Sequence, residues 1–206
     1  MWFWVVGRLT NVFILYKVWS PAAMPTYQPG DLFIASRFLQ PKRFDFIAYH
    51  PAVAGSEGSV WYHRLCGLPG DWVEMRAGQL FVNKKPADAG LTLAHQYNLP
   101  LADYRALPAA IRLDSAWTEV SPDSAYRVNL SDRLAGRARR LTLRPTASDP
   151  SIQQRFGRPW NADWFRPVVV PAGCYFVLGD NRRNAMDSRY TGFVRQTSVV
   201  GTVLHN

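Results

Sequence analysis

Gly179-Asp180-Asn181-Arg182-Arg183-Asn184-Ala185-Met186-Asp187-Ser188-Arg189-Tyr190-Thr191-Gly192-Phe193-Val194 says more about this chain than any other stretch of it. It follows Tyr175-Phe176-Val177-Leu178, an apolar run that reads as a buried strand. Gly-Asp-Asn ends that strand as a turn. Two acids and three arginines then fall within ten residues. By composition alone this is a tight surface turn held by Asp–Arg pairs. The order of the residues is more particular than that.

Outward from this stretch the pattern is one of short strands. Pro171-Ala172-Gly173 turns into the strand before it, and Ser198 to Leu204 closes the chain as a last strand. Upstream, Leu32-Phe33-Ile34-Ala35, Phe44 to Tyr49, Val60 to Cys66, Trp72 to Met75 and Leu80 to Asn83 alternate with glycine and proline turns. This predicts a mainly β, antiparallel fold. Residues 86–165 differ, with more polar and small residues and short helical pieces. Asp149 and Pro150 before Ile152, closed by Gly157, give a helix with an N-cap, an early proline and a C-terminal glycine. The expected division is an apolar segment 1–19, a β core made of 20–85 and 166–206, and an inserted smaller α+β lobe over 86–165.

The chain has 206 residues, 48% of them hydrophobic and 19% charged, which suits a globular protein with a sizeable core. A net charge of +9 favours polyanions, and six arginines cluster from Arg127 to Arg144. No nucleic-acid motif accompanies that charge, so the alternatives are a solvated basic face and contact with anionic lipid. Cys66 and Cys174 read as free thiols or, in an oxidising compartment, one disulfide. The histidines do not form a spaced constellation, so no metal and no cofactor is expected. Met1 to Trp19 is apolar and aromatic but interrupted by Arg8 and Asn11. A spanning helix wants roughly 20 apolar residues. A strand with interfacial aromatics fits better, and Ser20 to Asp31, with three prolines, reads as an extended loop.

Three segments in order carry a resemblance to bacterial type I signal peptidases, peptidase family S26. They are Met24-Pro25-Thr26 with Gly30-Asp31, Arg64 with Gly67-Leu68-Pro69-Gly70-Asp71, and Gly179 to Val194. The resemblance implies a membrane-bound endopeptidase, on the outer face of the bacterial inner membrane, that cuts exported proteins after small residues. It implies a serine nucleophile with a lysine base, chemistry that needs a hydroxyl beside a base of lowered pKa. It also implies an oxyanion site that includes a serine hydroxyl.

Position by position, the chain departs from that pattern. Ala22 stands at the nucleophile, His63 at the base and Ala185 at the serine that orients the base, while Ser20 keeps the oxyanion position. Arg64, Asp180, Asp187 and Arg189 remain as the structural surround. Alanine has no nucleophilic atom. Three replacements together, with Ala23 where the family carries methionine, read as natural divergence. The expectation is a protein that binds extended, signal-peptide-like segments of exported proteins at the membrane without cutting them. The alternative is an active peptidase with a Ser20/His63 site, His63 being oriented by Asp187 or Asp180. Ser20 lies two residues out of register, which on an extended strand moves a side chain by roughly 6–7 Å.

Overall fold

The computed structural model describes residues 12–109, 118–120, 126–136 and 138–204. The first part of the expected apolar segment, residues 1–11, lies outside the described residues. Its remainder forms β1 (Phe13–Lys17), and fourteen further strands follow among the described residues. The fold is mainly β, and the pairings between these strands are antiparallel.

The largest sheet has seven strands. After β1 come β2 (Leu32–Ser36), β15 (Val199–Val203), β3 (Phe46–Tyr49), β4 (Trp61–Gly67), β13 (Cys174–Leu178) and β14 (Val194–Arg195). β3 shows why a continuous apolar run becomes a strand here. Phe46 and Ala48 enter one hydrophobic cluster with Phe33 and Tyr62, while Ile47 and Tyr49 enter another with Leu65 and Val177. Both faces of the strand are covered, so every residue in it is buried.

A second sheet orders β12 (Phe165–Val169), β5 (Trp72–Arg76), β6 (Gln79–Val82) and β7 (Lys85–Pro86). Val73, Met75, Leu80 and Val82 from it pack with Phe176 and Leu178 of β13. The same cluster takes Ile152 from the helix Pro150–Phe156 and Phe165, with Trp160 against it. That helix is bounded as its sequence predicts. Asp149 accepts hydrogen bonds from Ser151 N and Ile152 N, and Gly157 closes it in the left-handed conformation.

A third sheet, formed by β11 (Arg139–Arg140), β8 (Ala94–Leu99), β10 (Tyr126–Ser131) and β9 (Thr118–Val120), has its own small core. Tyr97, Leu99, Val128, Leu130 and Ala135 make that core. It joins the rest through the opening stretch of sequence. Ala94 N donates to Asp180 O at 2.9 Å and Arg182 N to Ala94 O at 2.9 Å.

Two expectations are corrected. Residues 20–31 are not wholly extended, because Pro21–Ala23 form one 3-10 turn. Proline's fixed φ suits the first position, and Ser20 Oγ accepts the Ala22 N–H at 3.2 Å. The arginine-rich stretch is not a surface turn either: Asp187 is 0% exposed and Arg189 1%. Both cysteines are free thiols.

Candidate active-site cleft

The opening stretch works as an internal bracket. Arg189 clamps Asp187 with Nε to Oδ1 and Nη2 to Oδ2, both at 2.8 Å. Asp187 also accepts the backbone N–H of Gly179 at 3.0 Å and of Arg189 at 3.1 Å. Burial pushes the Asp187 carboxyl up, but the Arg189 guanidinium outweighs it and holds the group below the usual carboxylate range. Asp180 is clamped in the same way. Arg64 reaches it through Nε at 2.7 Å and Nη2 at 2.5 Å, and Thr26 donates its hydroxyl to the same carboxylate. One bracket therefore ties together three segments spread over 154 residues of sequence, from Thr26 to Asp180.

Gly179 is the point where two of them meet. A Cβ there would lie 2.2 Å from the Ala185 Cβ and 2.7 Å from the Ala22 carbonyl oxygen. The tight approach admits only glycine, and it puts positions 22 and 185 on either side of one residue. Asn181 secures the Ala22 loop from below, donating N–H to Ala22 O at 3.0 Å and Nδ2–H to Pro21 O at 3.2 Å. Tyr62 secures it from the side. Its hydroxyl accepts from Trp19 N and Ser20 N and donates to Ser20 O.

Ser20, Ala22 and His63 line one cleft of about 350 Å³, together with Trp19, Trp61, Tyr62 and Met186. The structure thus brings together the four positions named from the sequence, with Ala185 reaching the group through Gly179. Neither Ala22 nor Ala185 supplies a hydroxyl. β4 presents a backbone edge to this cleft. β3 pairs with it along Trp61 to Arg64, whereas on its other side β13 pairs only from Arg64 onward. Among the described residues, 61–63 therefore have an edge without a partner strand.

His63 is not held by an acid. Neither Asp187 nor Asp180 bonds to its ring, which corrects the expected orienting partner. The partner is Tyr49, whose hydroxyl lies 2.9 Å from Nδ1. Nothing in the local sequence marks this pair. Tyr49 faces Trp61 across β3 and β4 and so sits diagonally from His63. Only the strand register reveals it. Burial raises the Tyr49 pKa, with the Asp187 charge adding to it, so the phenol stays protonated. The phenol donates to Nδ1 in one tautomer of the ring and accepts from it in the other. Nε2 is buried and has no hydrogen-bond partner among the described residues. Burial pushes the His63 pKa down to about 4, against the opposing pull of Asp187. His63 is therefore a neutral imidazole with Nδ1 engaged by Tyr49 and Nε2 unpaired among the described residues.

An antiparallel β framework that gathers three signature segments around one cleft is the framework of a peptidase of the signal-peptidase class. The chain belongs to that family: the model for signal peptidase, peptidase S26, matches residues 2–205. It is similar to signal peptidase I of Bacillus caldolyticus, 28% identical over 93% of this chain and 78% of that protein. It is likewise 28% identical to signal peptidase I V of Bacillus subtilis, over 93% of this chain and 84% of the relative. A solved signal peptidase I from Enterococcus faecalis aligns with 27% identity and a TM-score of 0.40, covering 81% of this chain and 98% of its own.

Proposed function

We propose that this protein is a signal-peptidase-like binder that holds extended segments of exported proteins and does not cut them. The observation that carries the reading is the meeting of Ala22 and Ala185 around Gly179 in a cleft whose walls are otherwise complete. The bracket of Asp187, Arg189, Arg64 and Asp180 is intact, and the nucleophile it frames is absent. An unpartnered stretch of β4 beside an apolar cleft suits an extended peptide added as a strand, with the cleft taking a small side chain.

A membrane-surface location on the extracytoplasmic side fits the exposed face of β1 and β2. Phe13, Leu15 and Leu32 are 44%, 51% and 60% exposed, and Trp19 beside them 77%. The pairing of Lys17 with Leu32 puts a cation on the same face, which suits a lipid interface. No helix among the described residues is long and apolar enough to cross a membrane.

The second reading, a Ser20/His63 peptidase, draws on the presence of both residues in one cleft. Against it, Ser20 Oγ caps the 3-10 turn and Tyr49, not a carboxylate, bonds the His63 ring. One experiment decides. Purified protein is incubated with a preprotein bearing an Ala-x-Ala site, beside Ser20→Ala. The expected result is binding of the uncut chain by both and cleavage by neither. Cleavage that Ser20→Ala abolishes would overturn the proposal. In the Ala22→Ser, His63→Lys, Ala185→Ser combination the same framework is expected to gain cleavage.

A further inference from the structure

The cleft does not end at Met186. This side chain, 54% exposed, also lines a second depression of about 580 Å³. The segment between β3 and β4 walls both. Ser59 and Val60 face the first, and Ala52 to Ala54 face the second. The opposite wall of the second depression is Tyr190, Thr191 and Arg155. The two depressions therefore form one trough that passes over Met186.

Arg155 is placed in that trough by a glycine of the opening stretch. Gly192 has φ +83, and a Cβ there would lie 3.1 Å from Arg155 Cδ and 3.4 Å from Nε. Because Gly192 has no side chain, the guanidinium stem can lie flat across it. The other arginines around the site are spoken for: Arg64 pairs with Asp180, Arg182 with Asp88, Arg183 with Asp163 and Arg189 with Asp187. Arg155 has no carboxylate partner among the described residues, and no acid lines the second depression.

We infer that this second depression holds the stretch of the bound polypeptide that flanks its cleft-bound small residue, and that Arg155 selects a carboxylate side chain there. The inference rests on the peptide-binding reading of the cleft. Charge complementarity commits it to an acidic flank. An unpaired guanidinium in a concave wall attracts a carboxylate and repels lysine. Exposed ion pairs are weak, so the expected preference is about threefold to fivefold at low salt, shrinking as salt rises.

The test uses the full chain and fluorescent peptides that share an Ala-x-Ala core. The core is left bare or extended, at one end or the other, with two glutamates or two lysines. Binding is read by polarisation. Glutamates at one end are expected to bind tighter than lysines there, and Arg155→Glu to reverse the order. Arg155→Gln should erase the preference. Arg158→Gln removes an equally exposed charge outside the trough and should keep the preference, which separates a local contact from attraction by the net +9 charge. If the bare core binds but both extensions bind equally, or Arg158→Gln erases the preference as fully, the inference fails and the cleft reading stands. If no peptide binds, both fail.

Discussion

Lowering the pH should destabilise this protein through His63 before its carboxylates are titrated. In the unfolded chain the imidazole takes up a proton near pH 6.5. In the folded protein, burial beside Tyr49 and Trp61 delays that to about pH 4, against the opposing pull of Asp187. Between those values the unfolded state binds more protons, so stability rises with pH across the window. The contribution is complete above pH 6.5 and is lost as the pH falls to 4. A difference of that size at about 1.4 kcal/mol per pH unit corresponds to about 3 kcal/mol, most of it gone by pH 4.5. In the imidazolium both ring nitrogens carry hydrogen, so Tyr49 can then only accept from Nδ1. The assay is urea denaturation at intervals from pH 7.5 to 4.5 for the natural protein and for His63→Gln, which keeps an acceptor for Tyr49 but does not titrate. The buried His95, whose pKa is also lowered by burial against the pull of Asp132, contributes to both curves and cancels in the comparison. The two stability curves should converge by about 3 kcal/mol toward acid. Parallel curves over this range would refute the account of a neutral, buried His63.

Two further changes probe the bracket around the cleft. Asp187→Asn leaves the Arg189 guanidinium, 1% exposed, without its counter-charge and should cost about 3–5 kcal/mol, measured by denaturant unfolding. A loss below about 1 kcal/mol would show that the pair is not the internal clamp described. Gly179→Ala puts a methyl group 2.2 Å from Ala185 and 2.7 Å from the Ala22 carbonyl, so it should destabilise by at least about 1–3 kcal/mol. It should also weaken peptide binding by prising apart the two segments that meet there. Unchanged melting and binding would mean that the cleft walls do not touch through Gly179.

Much of the architecture is legible in the residue order. Short β-branched and aromatic runs between glycine and proline turns give antiparallel strands, and Asp149, Pro150 and Gly157 bound a helix by local hydrogen bonding alone. The surface or buried nature of a charged stretch is not local. Asp187 and Arg189 look solvent-facing in sequence, and they are buried because the two-point clamp between them offsets the loss of water, although Arg189 Nη1 is left without a partner among the described residues. The 3-10 turn at Pro21–Ala23 was equally hidden, since three prolines favour extension unless a cap and a clamp from Asn181 hold the turn.

The stretch from Gly179 to Val194, read with the segments around Met24 and Arg64, determined the family and the four positions 20, 22, 63 and 185. The absence of hydroxyls at 22 and 185 needs no coordinates, because a residue's chemistry is in its name. What only the tertiary structure decided is how the remaining groups behave. Tyr49 meets His63 because β3 and β4 pair in one register, and burial then keeps that imidazole neutral. Met186 lines both the cleft and a second depression, into which Arg155 is laid across Gly192. Both are contacts across the chain, set by packing and desolvation.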